Sequence, residues 1–308
     1  MKTTTPSAKR ARINPFVDWG FKYLFGREEN KDLLLGFLNL LLQPDVKIHD
    51  IEFLNTELIP DAPDLKRCVV DVLASDSEGN RYLVEMQNAA DSFIRQRLVY
   101  YACRLVDQMS QHNQNWKYGH IKRVYAVCLM NFNYETEDPV LRSDFQLRST
   151  DGQRTFSDLL TVIPLQIPCV RAASETEYRE SYEILLNLLQ RLSKGMETRE
   201  QLLAEVDGFK YISEDTKEMF RKVINTVEAD LTPDQWRDYE LALDKYQQTI
   251  VEYRTALDKG IAQGREEGLK EGREEMRLAT ARAMKADGVD FSTISKWTGL
   301  GAEKIQEL

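Results

Sequence analysis

Residues 68–87 read CVVDVLASDSEGNRYLVEMQ, and the reading of this stretch decides the fold. Two apolar runs, 67–74 and 81–87, flank the turn-forming segment SDSEGN. That arrangement predicts a β-hairpin. With Glu78 at the centre of the turn, Asp71 and Glu85 each lie seven residues away. A symmetric hairpin then sets the two acids directly opposite one another. Side chains alternate along a strand, so Gln87 shares their face. Val70, Val72, Val84 and Met86 form the other face, while Val69, Leu73 and Leu83 surround the acids. Apolar residues on both sides predict a sheet buried on both faces.

Directly opposed strand positions lie about 4.5–5.5 Å apart at Cβ, and like charges there are destabilising. Burial makes an uncompensated pair costlier still. Either a proton is shared or a cation sits between the acids. A hard, oxygen-ligated ion such as Mg²⁺ or Mn²⁺ suits carboxylates with no His or Cys beside them. A register displaced by one residue would instead turn one acid to solvent, and the pattern leaves both readings open. Other chemistries find little support. His49, His112 and His120 show no metal-ligand spacing, and Cys68, Cys103, Cys128 and Cys169 form no CxxC pair. Zinc centres and Ser-His-Asp hydrolysis are therefore poor candidates. Each cysteine sits in an apolar stretch and is expected as a buried, reduced thiol.

Upstream of the hairpin, Asn14-Pro15 reads as a helix start, and the helix over 16–25 stops at Gly26. A second helix runs from near Asn30 through DLLLGFLNLLL to Pro44, followed by the strand-like KIHDIEFLNTEL. Pro60 and Pro63 mark a loop. Downstream, Asp91 or Ser92 caps a helix predicted from Phe93 to about Gln114. IKRVYAVCLMNF is a buried strand, and LRSDFQLRS and VIPLQIP are further strands. Helix, strands, helix and strand predict an α/β or α+β core ending near residue 170. From Glu175 helical periodicity takes over, with helices expected near 175–194, 197–206, 214–229 and 233–258. Gly260, Gly264, Gly268 and Gly272 then recur every four residues. Such a stripe fits close approach of a second helix, or a weak solvated helix. Two short helices around Thr298-Gly299 have helix-turn-helix spacing. The expected divisions are a flexible tail at 1–13, a core at 14–173, a helical region at 174–258 and a glycine-striped tail at 259–308.

Together these features carry a family resemblance. Asp71, then Glu85-x-Gln87 on the next strand, then a helix, resembles the PD-(D/E)XK nuclease superfamily. DWGFKYLFG at 18–26, VVDVLA, YLVEMQ, RQRLVYYACRL and the WTGL tail resemble, within it, the recombination-promoting nuclease and transposase family. The resemblance spans most of the chain and is most specific over 14–130. It implies a restriction-endonuclease-like core, a mixed sheet flanked by helices, with a helical C-terminal region. It implies metal-dependent hydrolysis of DNA phosphodiester bonds, with Asp71 and Glu85 holding Mg²⁺ or Mn²⁺. Gln87 stands where the superfamily motif has Lys and carries no charge. Val70 stands where the motif has Pro, and Pro63-Asp64 lies in the loop. The alternative is a catalytically decayed module of the same fold that binds DNA or protein.

Other site residues follow from position. Asp18 and Lys22 share a face of the first helix; they fit a surface ion pair, or an added acid at the metal and a phosphate contact. Residues 86–125 hold six basic against two acidic side chains, a net +4. Arg97, Tyr101 and Arg104 share one helix face, with Arg95 beside them, and such a basic and aromatic face suits a phosphate backbone. A pairing of Arg97 with a core carboxylate fits equally.

The whole chain, 308 residues with a net charge of −9, argues against indiscriminate coating of nucleic acid. Residues 175–245 alone contribute −7, so a local basic groove survives that objection. No apolar run approaches the ~20 residues of a membrane span, and the N-terminus has no secretory pattern. A cytoplasmic protein, homo-oligomeric through its glycine stripe and without a small-molecule cofactor, is expected.

Overall fold

The hairpin closes around residues 76–80. In this computed structural model, residues 12–44, 47–58, 68–109, 116–134, 137–170 and 180–308 are described. The Pro60–Pro63 loop, Pro63-Asp64, His112 and most of the 1–13 tail lie outside them. Asp76 Oδ1 accepts the Glu78 and Asn80 amides, and Gly79 takes the left-handed φ of 88° that the turn needs. The ladder pairs Val72 with Val84, Leu73 with Leu83 and Ala74 with Tyr82. That register is symmetric about Glu78.

The helices and strands follow in chain order. They are α1 (Asp18–Phe25), α2 (Lys31–Leu42), β1 (Ile51–Phe53), β2 (Glu57–Leu58), β3 (Cys68–Val69), β4 (Val72–Asp76), β5 (Arg81–Gln87) and α3 (Ile94–Asp107). Next come β6 (Val124–Met130), β7 (Phe145–Arg148), β8 (Thr155–Gln166), α4 (Ser181–Lys194), α5 (Arg199–Gly208), α6 (Glu214–Val227), α7 (Pro233–Ala286), α8 (Phe291–Thr298) and α9 (Ala302–Gln306). Six strands form one mixed sheet in the order β1-β4-β5-β6-β8-β7. β5, β6 and β8 are parallel; β1, β4 and β7 pair antiparallel. The fold is the restriction-endonuclease-like core implied by the resemblance.

Both faces of the sheet are covered. Val72, Val84, Met86, Val127 and Ile163 meet the leucines and phenylalanines of α1, α2, α4 and α6 on one side. Leu73, Leu83, Val124 and Ala126 meet Ala102 and Leu105 of α3 on the other. Burial of this order supplies the main stabilisation, about 25 cal/mol per Å² of apolar surface.

Several expectations need correction. The first hairpin strand is not continuous: the chain bends at Asp71, and Cys68–Val69 pairs with β2 in a separate two-stranded ladder. Alternation therefore resets there. Val69 is 63% exposed, and Val70 joins Leu73 rather than Val72. Helix α1 starts at Asp18, not Pro15, because Asn14 Oδ1 accepts the Phe16 amide in a preceding turn. Ile13 is no part of a solvated tail: it is fully buried, and its amide bonds to Val227 O at 2.8 Å. Helix α3 ends at Asp107, where the Met109 amide returns to Val106 O in a tighter turn. The last strand begins at Thr155 because β7 extends its pairing. None of the four cysteines is in a disulfide, as expected, but Cys103 is exposed and Cys169 half-buried.

Gly20, the glycine of DWGF, has a steric cause. A Cβ there would sit 2.2 Å from Asn14 O, a backbone atom that cannot swing aside. Gly20→Ala is expected to destabilise the fold by about 2 kcal/mol or more in urea denaturation; an unchanged midpoint would refute this contact.

Residues 1–250 and 251–308 form two compact units. Helix α7 runs unbroken through position 258. In the second unit, Ala281, Ile294, Leu300 and Ile305 make a small core. Arg277 donates to the carbonyls of Thr298 and Gly299, and Lys285 to those of Ile305 and Gln306. A Cβ added at Gly260, Gly264, Gly268 or Gly272 would meet nothing within 4 Å.

Candidate active site

Strand β5 is the third of the six strands, antiparallel to β4 and parallel to β6. Its last residues carry Glu85 and Gln87. One step beyond the β4 ladder, the bend at Asp71 turns that residue toward Glu85. The two acids are tied across the strands by backbone amides, that of Asp71 itself and that of Met86 beside Glu85. The Asp71 amide donates to Glu85 Oε1 at 3.1 Å, and the Met86 amide donates to Asp71 Oδ2 at 2.9 Å. Gln87 Nε2 donates to Glu85 Oε2 at 3.3 Å. Asp71, Glu85 and Gln87 thus form one constellation.

Helix α1 brings the cation. Lys22 Nζ lies 3.3 Å from Asp71 Oδ1 and 2.7 Å from Asp18 Oδ1. Asp18 is 63% exposed and joins the cluster through Lys22. Helix α3 brings the second positive charge. Asp91 accepts Arg97 at 2.7 Å, and the guanidinium lies 5.8 Å from the Tyr101 ring centroid. Arg104, further along α3, pairs with Asp107 at 3.1 Å. Arg95 is drawn away from this row, over the Tyr134 ring at 5.0 Å.

The electrostatics follow from burial. Glu85 is 3% exposed. Desolvation, with the Asp71 charge second, pushes its carboxyl up to about 8. The Asp71 amide and the Arg97 charge pull the other way without prevailing. Burial also raises Asp71, against the Met86 amide and Lys22. For Lys22, burial opposes the ammonium, but its bonds and charges with Asp18 and Asp71 outweigh that and raise it. Cys128 pairs with Glu85 across β5 and β6, and burial raises its thiol well above the ordinary value. The floor of the site therefore holds a neutral thiol.

Two contributors were not anticipated from sequence. Asn88 follows the Glu-x-Gln motif and donates to Phe16 O at 2.7 Å, tying the end of β5 to the segment before α1. Asp91 was expected only as a cap; it also anchors Arg97. The six-residue spacing of Asp91 and Arg97 across a helix start was the available signal.

The donors suit a hard cation. Of the two carboxylates, Glu85 is buried and Asp71 half-buried, and when both are ionised Lys22 alone does not balance their charge. Their ligating atoms, with the Gln87 amide oxygen, are oxygens. Among the described residues no group of three or more His, Cys, Asp and Glu side chains clusters as a metal site. Any ion would rest on this acid pair, backbone or amide oxygens, and water.

A family model described as PD-(D/E)XK nuclease family transposase matches residues 15–253. The chain belongs to that family. In this PD-(D/E)XK chain the matched span takes in α1, the acid pair, α3 and the helices up to the first part of α7. No curated protein and no solved structure matches the chain significantly. Membership supports a nuclease or transposase-associated role, and PD-(D/E)XK nucleases generally use divalent metals and act on DNA. No helix among the described residues is long and apolar enough to cross a membrane.

Proposed function

We propose that this chain is a divalent-metal-dependent DNA endonuclease acting in transposition or recombination. The observation that supports it most is the cross-strand tie of the two acids: the buried Glu85 carboxylate accepts the Asp71 amide, and the half-buried Asp71 carboxylate accepts the amide of Met86, next to Glu85. Asp71 and Glu85 would hold Mg²⁺ or Mn²⁺. When bound, the ion supplies Lewis-acid stabilisation of phosphate charge and a water of lowered pKa.

The side chains divide the remaining work. Gln87 replaces the motif lysine and orients a water or a phosphate oxygen through its amide. Lys22 supplies the missing ammonium from α1, within contact of Asp71. Arg97 steadies Glu85 electrostatically while Asp91 fixes its guanidinium. Tyr101 and Arg104 continue that face as backbone contacts, with Arg95 at its margin. Asp18 holds Lys22 in place and is the proposed further acid near the metal.

The test is cleavage of supercoiled plasmid by the full chain. Nicking or linearisation with Mn²⁺ or Mg²⁺, abolished by chelator, is expected. An intact plasmid under all conditions would favour the second reading, a decayed DNA- or protein-binding module, which Gln87 in place of Lys supports. We place the chain in the cytoplasm, and propose a second copy of it as the partner of the open Gly260–Gly272 face.

A further inference from the structure

An exposed loop lies at the opposite end of α3 from the acids. Helix α3 starts beside Gln87 and ends over the beginning of β5, where Arg81 Nη1 donates to Leu105 O. At 14 residues it spans about 21 Å. The loop WKYGHIKR, residues 116–123, is docked on that far end. Trp116 Nε1 donates to Met109 O at 3.2 Å, and the Lys122 amide contacts Met109 Sδ at 3.3 Å. The loop is therefore held by the helix and not loosely hung.

Its surface combines open aromatic and basic groups. The Tyr118 ring is 83% exposed and rests edge-on against Trp116, with centroids 5.1 Å apart. Its outer face has no ring partner among the described residues. Lys117 precedes it in sequence and Lys122 follows four residues on, its stem beside Gly79 of the hairpin turn; both are exposed, and neither ammonium has an ion-pair partner among the described residues. Arg123 is held by Asp158 at 2.7 Å but stays half exposed. No acidic residue occurs in the sequence from 108 to 134. An exposed large aromatic between unpaired lysines has no role in the core, since the buried cluster beneath it ends at Met109 and Ile121.

We propose that Trp116–Tyr118 with Lys117 and Lys122 is a binding platform for single-stranded nucleic acid. The ring face takes an unstacked base and the two ammonium groups take the flanking phosphates. A duplex presents its bases already stacked, so the exposed ring selects a single strand. Arg97, Tyr101 and Arg104 on α3 supply a track from the acids to the platform, which would hold a strand about 20 Å from the point of cleavage. The choice of polymer rests on the nuclease reading.

Fluorescence anisotropy with labelled single-stranded and duplex oligonucleotides tests it, using the full chain with chelator present so that no cleavage occurs. Tyr118→Ala is expected to weaken single-strand affinity about fivefold or more. Tyr118→Phe should retain it, and duplex affinity should move little. Lys117→Glu with Lys122→Glu should weaken single-strand binding and flatten its salt dependence. Unchanged single-strand affinity in Tyr118→Ala would overturn the platform, as would equal losses on both oligonucleotides. The two readings fail separately. Cleavage without Tyr118 dependence removes the platform alone, while Tyr118-dependent binding without any metal-dependent cleavage removes the nuclease alone.

Discussion

Asp71→Asn and Glu85→Gln are each expected to lower Mn²⁺-dependent plasmid cleavage by roughly a thousandfold or more. Each change removes one formal charge from a two-carboxylate set while keeping the shape that holds the hairpin together. The Asn and Gln oxygens can still accept the Met86 and Asp71 amides. Loss of activity in a folded protein would therefore report on charge and ligation. Mn²⁺ binding by calorimetry should fail in both. Lys22→Met is expected to behave differently. It removes the ammonium 3.3 Å from Asp71 but leaves both carboxylates, so Mn²⁺ binding should persist while cleavage falls about ten- to a hundredfold. Adding Gln87→Lys to Lys22→Met should recover part of that loss, because position 87 already hydrogen-bonds Glu85. Equal cleavage by wild type, Asp71→Asn and Glu85→Gln would sink the assignment of the acids. Undiminished cleavage by Lys22→Met would remove the lysine from it.

The meeting of Asp71 and Glu85 was legible because a hairpin with a turn centred on Glu78 allows only one symmetric register. The period of two then sorts the neighbours by face. The faces within the same strand are less legible. The bend at Asp71 moved Val69 and Val70 off the expected faces, and apolar content alone gives no sign of it. Start points of helices were similarly opaque. Asn14 has the chemistry of an N-cap, yet it bonds Phe16 locally and the helix opens at Asp18. Lys22 was placed on the correct face of α1 relative to Asp18 by i, i+4 spacing. Its approach to Asp71 depends on how α1 lies on the sheet, which local sequence does not encode. Arg97 illustrates the same limit. Its partner, Asp91, lies outside the helix and was read only as a cap. Periodicity therefore recovers what lies along one element, while contacts between elements require the packed core.

Glu85→Gln should also stabilise the metal-free protein at alkaline pH, even as it abolishes activity. Burial and the Asp71 charge lift the Glu85 carboxyl from its ordinary 4.5 to about 8 in the folded state. The folded chain thus binds this proton more tightly than the unfolded chain does. By linkage, the protonated carboxyl's contribution is fully present below about pH 4.5 and is lost as pH rises through 8. Asp71, raised by burial as well, acts in the same direction. A neutral glutamine has no such titration. At pH 8 with chelator, Glu85→Gln is expected to exceed wild type in unfolding free energy by on the order of 2 kcal/mol. Near pH 4.5 the two should converge. Mn²⁺ at pH 8 should reverse the ranking, because a ligand that binds only the folded wild type stabilises it by mass action. Urea denaturation at both pH values, with and without Mn²⁺, measures all of this. A Glu85→Gln protein that is less stable than wild type at pH 8 in chelator would show that the buried carboxylate is already compensated by protein groups. In that case Lys22 and Arg97 would be balancing the site without a metal, and the electrostatic case for a bound cation would fall with it.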